Sequence, residues 1–174
     1  MTADRADLSA ERLTTPRLVL EPLAVSDAEE MTRVLADLDL YRFTGGTPPA
    51  AGALRDRYQR FQEGPGAPNE WWLNWVIRLA DEGRLVGTVQ ASASLVGDEL
   101  VADIAWIIAS AHQGRGFAKE AAAALVDWLR VHRVAAITAG IHPQNLASGG
   151  VAAACGLRPT DELANGERVW RLDF

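Results

Sequence analysis

Cysteine and histidine are scarce in this chain of 174 residues. Cys155 is the single cysteine, which excludes an internal disulfide and a cysteine-rich zinc site. The three histidines, His112, His132 and His142, lie ten or more residues apart and match no metal-ligand spacing, so we predict no metal. So little cysteine is typical of a reducing compartment, and we expect a cytoplasmic location.

Long apolar runs and a surplus of positive charge are missing as well. The first twelve residues are polar and contain no signal-peptide core. The most apolar stretch, residues 101–111, is interrupted by Asp103 and is too short to span a bilayer, so we expect no membrane association. With 17 basic and 23 acidic residues the net charge is −6, which disfavours nucleic acid as a partner but permits one local cationic pocket.

The composition is that of a globular protein. Apolar residues make up 48% and charged residues 23%, both ordinary values. A chain of this length buries roughly 70% of the surface that its unfolded form exposes, so it can build a core without disulfides or metals. We predict a flexible tail over residues 1–15 and a single domain over residues 16–174.

The N-terminal third predicts one strand and two helices. Residues 17–22 combine aliphatic side chains with a closing proline, which is typical of a short strand. Ser26 and Glu29 have the spacing of a capping box, and the apolar residues that follow have helical spacing, which together predict a helix over residues 26–38. A second helix is predicted over residues 50–62, after a break rich in glycine and proline.

Three strands with alternating apolar residues follow, over residues 71–79, 85–95 and 100–108. Short turns join them, so we expect an antiparallel meander. Trp71 and Trp75 share one face of the first strand, most simply the core side.

The C-terminal third predicts a helix to about residue 132, a strand over residues 134–141, a helix over residues 145–155 and a hairpin at Asn165-Gly166. The complete order is β-α-α-β-β-β-α-β-α-β-β. This order indicates an α+β (α/β sandwich-like) fold, in which a central mixed, mostly antiparallel twisted sheet of about seven strands is flanked by about four helices.

The most informative stretch is WIIASAHQGRGFAKE, residues 106–120. A strand runs into a glycine-bearing loop that opens a helix, so the backbone can approach a ligand and the first N–H groups of the helix point outward. Arg115 and Lys119 add positive charge. The pattern favours binding of a phosphate or pyrophosphate over a tight turn without a ligand. ATP and NAD are disfavoured, because the P-loop spacing is missing and Lys119 stands where the dinucleotide fingerprint needs glycine or alanine.

Residues 113–118, QGRGFA, fit the Gln/Arg-x-x-Gly-x-Gly/Ala signature and resemble the GNAT superfamily of acetyl-CoA-dependent N-acetyltransferases. The order of elements and the NLAS segment over residues 145–148 are similar to that superfamily too. The opening TPRLVLEP resembles the RimJ/RimL-type branch, which acetylates ribosomal-protein N-termini. The resemblance covers residues 15–174 and implies the GNAT fold, acetyl-CoA as co-substrate and no metal.

This resemblance also implies a cofactor site. Backbone groups of Ile107, Ile108 and Ala109 would hold the pantetheine arm. Asn145 and Ser148 would lie beside the thioester, although Asn145 could serve only as a helix cap and Ser148 could be a solvated surface residue. The backbone amides that would hold the pyrophosphate belong to Gln113, Gly114, Arg115, Gly116, Phe117, Ala118 and Lys119.

Direct acetyl transfer to an amine needs a neutral amine, a polarised carbonyl and a route for the proton, but no enzyme nucleophile. The base candidates are Glu162, Asp103 and Glu99. Glu162 stands in a Glu-x-x-Asn-Gly segment that resembles the one bearing the base in the ribosomal-protein branch. Asp103 lies on the strand that leads to the cofactor loop. Ser148 or water would protonate the leaving thiolate.

The acceptor is left open as a primary amine, either a peptide or protein N-terminus or a small molecule. Neutralising an α-amine at pH 7 costs only about 1 kcal/mol, against about 4.6 kcal/mol for a lysine side chain, which suits a chain with few bases. Tyr41, in a loop that forms one wall of the cleft in relatives, and Trp72 are candidate acceptor contacts. The alternative function is a non-catalytic acyl-CoA-binding sensor. A homodimer is possible, and Cys155 is expected in the core.

Overall fold

The computed structural model describes residues 8–174. In this part of the chain, eight strands form one open sheet and four α-helices flank it. The elements in chain order are β1 (Leu13–Thr14), β2 (Leu18–Pro22), α1 (Ala28–Val34), α2 (Ala51–Glu63), β3 (Glu70–Leu79), β4 (Leu85–Val96), β5 (Glu99–Ile108), α3 (Phe117–Val131), β6 (Ala136–Ile141), α4 (Leu146–Ala154), β7 (Arg158–Ala164) and β8 (Glu167–Asp173).

The strand order across the sheet is β1-β2-β3-β4-β5-β6-β8-β7. The predicted meander β3-β4-β5 is confirmed, and every neighbouring pair is antiparallel except β5 and β6. The parallel pair is short, because its ladder joins Val101–Asp103 to Ala136–Thr138 and ends there. The rest of β5 and the rest of β6 therefore part from one another.

Helices cover the two faces of the sheet unequally. On one face α3 and α4 close the main core, which contains fully buried residues such as Trp75, Leu125 and Ile137. On the other face α1 and α2 pack against β3 and β4 through residues that include Leu54 and Val76. Alternate residues in the middle of β5 and β6, namely Asp103, Ala105 and Gly140, are exposed on this second face. That part of the sheet is consequently open to solvent.

The N-terminal segment corrects the predicted tail. Leu13 pairs with Leu20, which gives the sheet an eighth strand in place of the predicted seven. Leu8 is buried, and the backbone carbonyl of Glu11 accepts a 2.7 Å hydrogen bond from the indole N–H of Trp75. Because Trp75 is fully buried, its N–H needs a partner inside the protein, and the segment supplies one. Residues 1–7 of the predicted tail lie outside the described residues.

The first helix is shorter than predicted at both ends, and Ser26 does not cap it. A short 3-10 turn occupies residues 25–27. The Asp27 carboxylate caps this turn by accepting the Ala24 N–H at 2.9 Å. The other Asp27 carboxylate oxygen accepts from the Arg78 guanidinium at 2.9 Å, which fixes this end of the helix to β3. Among residues 8–174 no helix is long and apolar enough to cross a membrane.

Candidate active site

A cleft of about 620 Å³ opens where β5 and β6 part. Its walls come from the second halves of both strands, the loop that leads into α3, the start of α4 and the loop after α1. Glu167, the first residue of β8, completes the lining. The cleft thus brings together segments from all three thirds of the chain.

The edge of β5 beside the cleft carries backbone groups free to bind an extended ligand. The Ala109 N–H donates to the Val86 carbonyl at 2.8 Å, and the Ile107 carbonyl points at Gly87, so odd-numbered residues here face β4. Because these groups alternate along a strand, those of Trp106 and Ile108 face β6, beyond the end of its ladder. An extended chain can add to such an edge as a strand would.

This geometry corrects the predicted pantetheine contacts. Of the three predicted residues, only Ile108 turns its backbone groups toward the cleft, and its carbonyl accepts the Gln113 side-chain amide at 2.9 Å. The backbone groups of Ile107 and Ala109 are directed toward β4, although Ile107 also lines the cleft. Trp106 was missed, although the two-residue alternation of the strand would have identified it.

The loop before α3 is suited to an anion. Gly114 and Gly116 have φ angles of 72° and 82°, in the left-handed region that glycine adopts without strain. Gly116 is the N-cap of α3 and offers no side chain to the first N–H groups of the helix. Those groups and the exposed Lys119 in the first turn are placed to face an anion, and the phosphate contact stays a prediction.

A hydrogen-bonded network that the sequence analysis missed ties this loop to the start of β2. The Glu120 carboxylate accepts from the Thr15 hydroxyl at 2.6 Å, the Arg17 N–H at 2.8 Å and Arg17 Nε at 2.7 Å. Arg17 also donates to the Arg115 carbonyl at 2.9 Å and stacks 4.7 Å from the Phe117 ring centre. Burial raises the pKa of Glu120, but these hydrogen bonds and the Arg17 charge outweigh it and hold that pKa below its usual value.

The start of α4 contributes the predicted pair Asn145 and Ser148 to the cleft. Asn145 accepts the Ser148 N–H at 3.2 Å and so also caps the helix. The two glycines that follow serve different purposes. A Cβ at Gly149 would lie 3.3 Å from the Trp170 ring, whereas Gly150 faces open space and lines the cleft.

None of the three predicted bases lines the cleft. Glu162 is exposed on β7, and its N–H donates to the Thr160 hydroxyl at 3.2 Å. Asp103 lies on the open sheet face, where it accepts a 2.7 Å hydrogen bond from the Thr138 hydroxyl. Burial raises the pKa of Asp103, and this hydrogen bond opposes the rise. Glu99 is exposed at the first position of β5.

Among the described residues, Asp39 and Glu167 are the carboxylates that line the cleft, and Glu167 is the one on the sheet. It is half-buried, and its Oε2 lies 2.6 Å from the place that a Cβ on Gly140 would occupy. The sequence indicated only a turn at Asn165-Gly166. Because β8 inserts between β6 and β7, the first residue after that turn is brought beside β6.

The two predicted acceptor contacts lie elsewhere. The Tyr41 hydroxyl donates to the Leu35 carbonyl at 3.0 Å. Other residues of the same loop, such as Phe43, line the cleft instead. Trp72 is 39% exposed and meets the edge of the Phe61 ring in a separate pocket of about 440 Å³. Neither residue lines the cleft between β5 and β6.

Cys155 packs against the main core, as predicted. Burial raises the pKa of its thiol to about 11, and the thiol does not line the cleft. Within residues 8–174, no group of three or more His, Cys, Asp or Glu side chains is arranged to hold a metal ion.

Known proteins resemble this chain in sequence. Residues 17–158 match the Acetyltransferase (GNAT) domain family. The chain is 30% identical over 149 residues to the Probable N-acetyltransferase YjcK of Bacillus subtilis (strain 168), covering 75% of each chain.

Two solved structures share the fold. The Microcin C7 self-immunity acetyltransferase MccE, in complex with acetyl-CoA and AMP, is 14% identical with a TM-score of 0.76, covering 92% of this chain and 94% of that one. The ribosomal-protein-S5-alanine acetyltransferase of Vibrio fischeri is 16% identical with a TM-score of 0.73, covering 94% and 96%. The family match spans most of the chain, which therefore belongs to the GNAT family of acetyltransferases, enzymes that use acetyl-CoA.

Proposed function

We propose that this protein transfers an acetyl group from the thioester of acetyl-CoA directly to a primary amine, within a ternary complex. The cleft between the parted strands supports this proposal. It has a free strand edge and an uncapped helix start on one side, and it borders the open sheet face at Ala105 and Gly140. Cofactor and amine can therefore be held at the same time.

The residues present fit acetyl-CoA, which when bound supplies the activated acetyl group. Backbone groups of Trp106 and Ile108 would hold the pantetheine arm, and the amides of residues 113–119 would hold the pyrophosphate. Asn145 and Ser148 would flank the thioester. The Ser148 hydroxyl or a water molecule would protonate the leaving thiolate.

Direct attack by the amine is favoured over a covalent acetyl-enzyme. The only cysteine has a pKa raised to about 11, packs against the core and does not line the cleft. A thiol of that kind is a poor nucleophile at neutral pH, because the thiolate is the reactive form.

The acceptor that we favour is the α-amine of a peptide or protein, as in the RimJ/RimL-type branch. An α-amine needs only about 1 kcal/mol to become neutral at pH 7, against about 4.6 kcal/mol for a lysine side chain. The likeness of fold to a ribosomal-protein acetyltransferase makes peptides with free N-termini the first class to test. A small-molecule amine, a cytoplasmic location and a homodimer remain predictions from the sequence.

Thiol release from acetyl-CoA tests the proposal. The purified protein is mixed with acetyl-CoA and a panel of peptides with free N-termini, the same peptides with blocked N-termini, spermidine and an aminoglycoside. We expect release with free amines only, and mass spectrometry should find one added acetyl group on the amine. Tight acetyl-CoA binding without turnover on any amine would instead favour the alternative, a non-catalytic acyl-CoA sensor.

A further inference from the structure

We propose that Glu167 accepts the proton of the acceptor amine. This assignment rests on the proposed function, direct transfer to an amine. Glu167 is half-buried, lines the cleft together with Ser148, and places its carboxylate beside Gly140 on the open sheet face. It thus stands where the cofactor cleft meets the surface from which an amine can enter.

The absence of a side chain at position 140 supports this role. Glycine inside a strand costs roughly 0.5–1 kcal/mol relative to alanine. Here the vacant space is filled by the Glu167 carboxylate, whose Oε2 lies 2.6 Å from the position of an added Cβ. Gly140 and Ala105, which lies across the cleft on β5, are both small and exposed, so a chain bearing an amine can reach the cleft between them.

The other charged or titratable side chains of the cleft, among the described residues, suit the role less well. His142 accepts the Gln144 N–H at Nδ1, 3.2 Å away, and its ring packs 5.4 Å from the Phe43 ring centre, so one of its two nitrogens is already engaged. His112 and Lys119 belong to the loop and helix start that would bind the pyrophosphate. Asp39 is exposed to solvent in the 3-10 turn after α1, on a different wall of the cleft from Gly140 and Ser148.

The protonated amine gives one proton to the Glu167 carboxylate, and its nitrogen lone pair then attacks the thioester carbonyl carbon. The C–N bond forms, the C–S bond breaks, and the electron pair of that bond leaves on sulfur. The nitrogen loses a second proton, which ends on the thiolate by way of Ser148 or water, and Glu167 returns the first proton to solvent.

Glu167→Gln tests the assignment, with Glu29→Gln on the exposed face of α1 as the matched control. Glutamine keeps the size and polarity of the side chain but removes its basicity. We expect kcat to fall by about 10²–10⁴, the usual cost of losing a general base. The KM for acetyl-CoA should change little, and Glu29→Gln should match the wild type.

A pH series separates this chemical role from a structural one. The deficit of Glu167→Gln should shrink as the pH rises toward the amine's own pKa, because more of the amine is already neutral. The groups that share the cleft and could add to the profile are Asp39, His112, Lys119 and His142. A deficit of the same size at every pH would overturn the assignment.

Three further outcomes distinguish this proposal from the one on which it rests. If the wild type acetylates an amine and Glu167→Gln does so equally well, the proton goes elsewhere and this assignment alone is wrong. A large, pH-dependent loss in Glu162→Gln with none in Glu167→Gln would transfer the role to Glu162. If the wild type acetylates no amine at all, the proposed function falls, and this assignment falls with it.

Discussion

The Glu167 carboxylate lies over the backbone of Gly140, one strand away in the sheet. A Cβ built on Gly140 would meet Oε2 at 2.6 Å and Cδ at 3.5 Å, so the two positions cannot both carry a side chain in this arrangement. Position 140 therefore controls where the carboxylate can point. The pair joins the open sheet face to the cleft between β5 and β6.

Gly140→Ala should lower kcat for amine acetylation, because the added methyl group must push the Glu167 carboxylate out of its place. Affinity for acetyl-CoA, measured by calorimetry, should be retained. Gly52→Ala is the control, since Gly52 in α2 has open space around it. Combining Gly140→Ala with Glu167→Gln should cost little more than Glu167→Gln alone, because both changes remove the same interaction. Fully additive losses would show that Gly140 acts independently of Glu167.

Gly114→Asn should weaken acetyl-CoA binding by at least about tenfold, or about 1.4 kcal/mol. Gly114 has a φ of 72° with open space where a Cβ would stand, and asparagine tolerates that backbone conformation better than most residues. The variant should therefore fold while its side chain intrudes on the phosphate position. Gly97→Asn is closely matched, with a φ of 64° and open space in the turn between β4 and β5. Equal calorimetric affinities in the two variants would refute the phosphate assignment.

Glu120→Gln should weaken acetyl-CoA binding without a direct contact, because Glu120 holds Arg17 against the Arg115 carbonyl. We expect a higher KM for acetyl-CoA and a kcat that is nearly unchanged at saturation. Loss of the charged hydrogen bonds should also lower the free energy of unfolding at pH 7 by about 2 kcal/mol. A fall in kcat with an unchanged KM would contradict this positioning role.

The sign of the pH dependence follows from the lowered pKa of Glu120. A carboxylate whose pKa is lower in the folded than in the unfolded state stabilises the protein above its unfolded pKa, which is about 4.3. That stabilisation disappears as the pH falls through the folded pKa. Denaturant titrations of wild type and Glu120→Gln should therefore differ most near neutral pH and converge in acid.

Local patterns were enough to predict most of the elements. The alternation of Trp71, Leu73 and Trp75 is a property of neighbouring residues, so the meander could be recognised from the sequence. The glycine-bearing loop before α3 was recognised for the same reason. Where the alternation was not applied to backbone groups, three consecutive residues were predicted as contacts, although only every second residue turns its backbone groups toward the cleft.

Features that depend on distant strands could not be read in this way. Glu167 enters the cleft only because β8 lies between β6 and β7, an order that no local pattern specifies. Glu11 is held by the indole N–H groups of Trp75 and Trp128, far along the chain, so the first described residues looked like a tail. Both errors arise from long-range pairing, which the spacing of residues does not encode.

Cys155 should react slowly with a thiol reagent in the native protein. At pH 8 a thiol with the usual pKa of about 8.5 is about one-quarter ionised, whereas a pKa of about 11 leaves about one part in a thousand as thiolate. Reaction with Ellman's reagent should thus be at least roughly a hundredfold slower in the native protein than after unfolding in urea, because the thiolate fraction falls more than that and access is reduced as well. Cys155→Ala should retain acetyl transfer, since direct attack by the amine needs no thiol. Loss of turnover in a folded Cys155→Ala protein, or a labelled acetyl group trapped on Cys155, would show that transfer passes through the enzyme.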